Sequence, residues 1–162
     1  MISIYFWEQK WFALLIIFIM TLILCQINLP LFNDVRIIPD YFIAFIVSAI
    51  IVRLKKLNIF NIFLLGIFVD ILIGELIGQY SLTFLCVFMG NFVLHKFFTF
   101  KSPSQIIFLY FILLELGFVI LTTTSLSYEL KNNDIDILIY KNILTIPACV
   151  VYKLLFEKIN IN

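Results

Sequence analysis

Apolar residues fall in six long, near-continuous runs along the chain, at about 11–29, 38–52, 59–77, 81–98, 105–126 and 137–156. None of them alternates with a period of two, so each run predicts a helix rather than a strand. Most approach the roughly 20 residues that a helix needs to cross a bilayer. The second run is the shortest, and it is expected either to sit with little tilt or to be completed by its flanks. The third and fourth runs are parted by Gly78-Gln79-Tyr80 alone and read as a helical hairpin.

Composition strengthens this pattern. Of 162 residues, 64% are hydrophobic and 13% charged, about half the charge of a soluble domain. A water-soluble fold of this length could not cover so much apolar surface. With lipid as solvent, every backbone polar group must be satisfied inside the spanning structure. The expectation is therefore a single all-α membrane domain over residues 1–162, a bundle of six transmembrane helices. The first run has no small-residue cleavage site ahead of Asn28–Pro30 and is expected to remain as an anchor.

Charge orients the bundle. The 53–58 connection holds Arg53, Lys55 and Lys56 with no acid, and Lys96 and Lys101 flank the 95–103 connection. Asp34 balances Arg36 in the first connection, and Glu129, Asp134 and Asp136 outweigh Lys131 in the last. Positive residues favour the cytoplasm, so both termini are expected there, in agreement with Lys10, Lys153 and Lys158. Trp7 and Trp11 fit interfacial anchors.

The third run carries the most information. Gly66, Asp70, Gly74 and Gly78 recur every four residues, a spacing that makes a ridge along one face of a helix. Glycines on such a ridge let a second backbone approach closely. Asp70 falls near the middle of this run and Glu115 near the middle of the fifth. An acid in hydrocarbon costs about 2.5–3.5 kcal/mol on insertion scales, so both are expected to face the bundle. With no Lys or Arg at that depth, each is expected to be neutral and hydrogen-bonded to Asn91, Ser81, Thr83 or backbone carbonyls. Two readings stand for each acid: a functional or partner-binding group, or a structural hydrogen-bonding one.

The remaining features have local explanations. Pro39-Asp40 opens the second helix, where Pro suits a first turn and an acid complements the helix dipole. Cys25, Cys86 and Cys149 lie singly in apolar runs and read as small core residues. Pro147 is expected to kink the last helix, His95 to sit at an interface, and Thr122–Ser125 to bond back to their own helix. One histidine, unpaired cysteines and separated acids exclude an ordinary metal site. They also argue against acid–base catalysis, so neither a cofactor nor a catalytic residue is expected.

Taken in order, these features resemble the rod shape-determining MreD family. They are the length, the six-span plan, Pro39-Asp40 at the head of the second helix, the basic connection after it, and the third helix Gly66-x-x-x-Asp70-x-x-x-Gly74-x-x-x-Gly78. The resemblance implies a non-catalytic protein of the bacterial inner membrane that helps maintain rod shape. Its implied direct partner is MreC, with MreB, RodA and a class B penicillin-binding protein in the same elongation complex, which organises lateral peptidoglycan synthesis. It also implies a fold like that of the substrate-binding subunits (S-components) of energy-coupling-factor vitamin transporters. An alternative reading is such a vitamin-binding subunit itself.

Overall fold

Each of the six apolar runs contains a helix. In a computed structural model that describes residues 2–26, 39–52, 57–73, 77–100, 102–125 and 134–161, the helices are α1 (Ile2–Gln26), α2 (Tyr41–Ile51), α3 (Ile59–Ile73), α4 (Gln79–Phe97), α5 (Pro103–Ser125) and α6 (Asp134–Ile161). No strand occurs among the described residues. Two stretches there, Gln79–Phe97 and Pro103–Thr124, are long and apolar enough to cross a membrane; Phe12–Cys25, Tyr41–Ile51 and Ile59–Ile73 are apolar but shorter. Gly74 and the charged residues Asp34, Arg36, Arg53, Lys55, Lys56, Lys101, Glu129 and Lys131 lie outside the described residues.

Local sequence sets the helix ends. Ser102-Pro103-Ser104-Gln105 starts α5 with a reciprocal cap. The Ser102 N–H donates to Gln105 Oε1 at 3.1 Å, and the Gln105 N–H donates to Ser102 Oγ at 3.4 Å. Proline at the first helical position needs no hydrogen-bond partner for its nitrogen. His95 and Lys96 fall in the last turn of α4 and Lys158 in that of α6, where cations complement the carbonyl end of the dipole. The hydroxyls of Thr122, Thr123 and Thr124 donate to carbonyls three or four residues back, as expected of them. α6 continues through Pro147.

α2 is the centre of the bundle. It packs against α1, α4, α5 and α6, while α3 is joined chiefly to α4. Nine consecutive residues, Phe42–Ile50, are buried. With 11 residues it is about 16 Å long, too short to cross a bilayer alone. Pro39 and Asp40 extend it as a buried, non-helical flank.

The surrounding helices each turn a stripe inward. On α6, Thr145, Cys149, Tyr152 and Phe156 are buried, and on α5 Leu109, Leu113, Gly117 and Leu121 are. Between helices in lipid, apolar contact alone gives little net drive, so packing and interhelical hydrogen bonds matter more. Three such contacts hold α1 and α6. Ser48 Oγ donates to the Cys149 carbonyl at 3.1 Å, Thr21 Oγ1 and Tyr152 Oη share a 2.8 Å bond, and Phe18 meets the rings of Phe42, Phe45 and Phe68.

Successive helices run in alternating directions, which gathers alternate ends together. The C-terminal ends of α1 and α3 and the N-terminal ends of α2 and α4 meet at a single cavity, with Lys141 of α6 beside them. Gln79 Nε2, at the start of α4, donates to the Leu121 carbonyl near the end of α5 at 3.0 Å.

Candidate functional site

Two buried carboxylates organise this end of the bundle. The first belongs to Asp70, in the last described turn of α3 and 2% exposed. Expected near the middle of its apolar run, it stands under the α3–α4 turn, within reach of Gly78, Tyr80 and Ser81. Asp70 Oδ2 accepts from the Gly78 N–H at 2.9 Å, the Ser81 N–H at 3.3 Å and the Ser81 hydroxyl at 2.7 Å, while Oδ1 accepts from the Tyr80 N–H at 2.7 Å.

The arrangement is a helix cap supplied from another helix. The residue at the N-cap of α4 is Gly78, at φ 102°, with no side chain to cap the N–H groups that a helix start leaves unpaired. Asp70 takes that place from α3. Of the partners expected for it, Ser81 is met. Thr83 bonds back to the Gln79 carbonyl at 2.8 Å instead, and Asn91 Oδ1 is buried with no partner among the described residues. All four contacts are donors, the complement of a carboxylate that only accepts. In place of the expected backbone carbonyls, its described partners are three backbone N–H groups and the Ser81 hydroxyl.

Gly66 makes this cap possible. A Cβ at Gly66 would collide with Ser81 Cα and stand 2.8 Å from its nitrogen. Only a missing side chain lets α4 come close enough for Ser81 to reach Asp70 one turn further along. Gly66 and Asp70 share a face of α3 as their spacing suggests, while Gly78, expected on the same ridge, stands instead at the N-cap of α4 and meets them across the hairpin. Gly78 contributes its left-handed backbone rather than a packing surface, since nothing stands within 4 Å of a Cβ placed there.

The second carboxylate is Asp40, 4% exposed. It is the N-cap of α2, accepting from the Ile43 N–H at Oδ1, 3.1 Å. Pro39 thus precedes the cap instead of occupying the first turn. The local role expected for the pair is present and incomplete, because Oδ2 also accepts from the Tyr80 phenol at 3.2 Å and lies 3.5 Å from Lys141 Nζ. The Asp40 N–H donates to Thr145 Oγ1 at 3.1 Å, and that hydroxyl donates to the Lys141 carbonyl at 2.7 Å. Tyr80 bridges the two acids, with its main chain on Asp70 and its phenol on Asp40.

Lys141 is the residue that reading along the chain missed. Its signal was its register with Thr145, Cys149, Tyr152 and Phe156, which places it on the inward stripe of α6. What could not be read was the distant acid it meets. Glu115, the other acid singled out, is half-buried on α5 and is not among the described residues that line the cavity.

The cavity beside these groups measures about 340 Å³. Asp40, Tyr80 and Lys141 make its polar end, and Leu22, Phe42, Leu72 and Ile73 make much of its apolar wall.

No curated protein and no solved structure matches the chain. A family model described as rod shape-determining protein MreD matches residues 8–159, nearly the whole length and every helix described above. The chain belongs to the rod shape-determining protein MreD family.

Proposed function

We propose that this protein is a non-catalytic scaffold of the bacterial inner membrane that helps maintain rod shape by organising lateral peptidoglycan synthesis with MreC. MreB, RodA and a class B penicillin-binding protein are its further companions in the complex. Family membership implies a role in rod-shape determination, and the family match across nearly the whole chain carries this reading. The cap on α4 and the close approach at Gly66 support it. The most distinctive polar residues of the chain are engaged inside the bundle, so they define its shape and leave the outer faces for partners.

Six membrane crossings with both termini in the cytoplasm agree with the alternating helix directions. The positive-inside tendency then puts Lys96, Lys153 and Lys158 on the cytoplasmic side and the cavity toward the periplasm. Rows of exposed apolar side chains, such as Phe60, Leu64, Phe68 and Ile71 on α3, suit lipid or the single membrane helix of a partner. Large exposed apolar patches mark membrane and partner contact.

The test is to crosslink the tagged full chain in its own cells, purify it in mild detergent and identify its companions by mass spectrometry. Enrichment of an MreC-like protein is the expected result. Recovery of paired ATPases and a transmembrane coupling subunit, without MreC, would replace the scaffold with a transporter subunit.

A further inference from the structure

The cavity at the α2 end of the bundle has a division of chemistry that packing does not require. Its walls are apolar on the side of α1 and α3, where Leu22, Leu72 and Ile73 line it. Leu72 is 47% exposed, so the wall continues onto the outer, lipid-facing surface of the bundle. α1 and α3 are not a tightly packed pair, since α3 is joined chiefly to α4. A chain-shaped apolar group can therefore enter from the side.

The opposite end of the cavity carries a cation. Lys141 keeps 32% of its side chain exposed and stands 3.5 Å from Asp40, longer than the roughly 2.7–2.9 Å of a tight charge-assisted bond. Asp40 also has the Ile43 N–H and the Tyr80 phenol, so it does not depend on this ammonium alone. An ammonium has three protons to donate, and among the described residues Asp40 is its ion-pair partner.

We propose that this cavity binds an anionic membrane lipid, with the headgroup phosphate on Lys141 and the upper acyl chain against Leu22, Leu72 and Ile73. Lys141 is the one cation of the described lining and stands beside Asp40, so the headgroup phosphate is held by a single ammonium shared with that acid. The cavity's volume, about 340 Å³, lies in the lower part of the roughly 300–1,000 Å³ range of small-molecule sites. It therefore takes the head and the start of one chain rather than a whole lipid. The proposal rests on the chain lying in a membrane and is independent of the scaffold role, since lipid selectivity and recovery of MreC can fail separately.

Native mass spectrometry of the detergent-purified full chain, titrated with phosphatidylglycerol or phosphatidylcholine, tests it. Phosphatidylglycerol is expected to bind more tightly. Lys141→Gln is expected to weaken it about tenfold, the scale of one charge-assisted contact. Leu72→Trp fills the mouth of the cavity without touching the ion pair, and it is expected to weaken binding as well while Lys141→Arg largely preserves it. Leu72→Trp also keeps the test decisive if Lys141→Gln does not fold. Equal binding of the two lipids, or unchanged phosphatidylglycerol affinity in Leu72→Trp, overturns the proposal. So does displacement of the lipid by inorganic phosphate alone with no dependence on Leu72, which would identify a free-anion site.

Discussion

Asp40 and Asp70 are both buried aspartates beside one tyrosine, yet they do different work. Among the described residues, Asp70 takes its partners from positions eight to eleven residues away, within one hairpin, and each is a neutral donor. Asp40 takes one partner from the next helical turn and the others from residues as far as 40 and 105 positions away, and one of them is charged. The first acid shapes a hairpin that is complete as soon as its two helices exist. The second ties α2, α4 and α6 together and exists only in the finished bundle. A buried acid in an apolar bundle is thus not a single kind of feature, and its meaning depends on how far away its donors come from.

The largest effect separating the two is expected at Asp70. Asp70→Leu removes four hydrogen bonds and strands the N–H groups at the start of α4. At about 1–3 kcal/mol for each buried group left unpaired, the loss is about 3 kcal/mol or more, read as thermal unfolding in detergent. Asp70→Asn keeps one acceptor oxygen but turns an NH₂ toward the remaining donors, so it should rescue little. Stability close to wild type in Asp70→Leu would show that the cap is dispensable.

Next comes Gly66→Val. Its added atoms meet Ser81 backbone, which cannot rotate away, so α3 and α4 must separate. A cost of about 1–3 kcal/mol is expected, the usual range for overpacking, with loss of crosslinking between cysteines placed on the two helices. Gly66→Val combined with Asp70→Leu should cost less than the sum, because both break one contact.

The Asp40–Lys141 pair should show a smaller coupling. A double-mutant cycle of Asp40→Asn and Lys141→Gln is expected to give about 1 kcal/mol, reduced by the exposure of the lysine. It should weaken as salt is raised, whereas the Asp70 variants should not respond. Equal salt dependence at both acids would erase the distinction between them.

Tyr80→Phe is the mildest. It removes the phenol from Asp40 and leaves the main-chain bond to Asp70 intact. The expected cost is about 0.6 kcal/mol, typical of side-chain hydrogen bonds between membrane helices.

The helices were legible because long apolar runs have one viable state in lipid. Gly66 and Asp70 were legible together because spacing by four residues maps onto one face of α3, whereas Gly78, expected on the same ridge, stands at the start of α4. The mechanism they share was not legible. Nothing in a list of residues says that Gly78, lacking a side chain, leaves α4 uncapped and that Asp70 supplies the cap from the preceding helix. Pro39-Asp40 was readable as a helix start, since capping is local. The pairing with Lys141 was hidden because it depends on α6 packing against α2, a contact that periodicity permits without specifying. The burial of α2 on all sides was partly announced by its continuous apolar sequence, which has no polar face to turn outward.

That central helix also constrains the order in which the protein can be made. A ribosome delivers α2 long before α6, so Asp40 and Ser48 emerge while Lys141, Thr145 and the Cys149 carbonyl are still unsynthesised. Until the final helix arrives, the innermost segment must shelter its polar groups against lipid headgroups, water or the insertion machinery. Chains that stop short of residue 141 leave it in that exposed state, a ready signal for membrane quality control. Closure of the bundle around α2 therefore waits on α6.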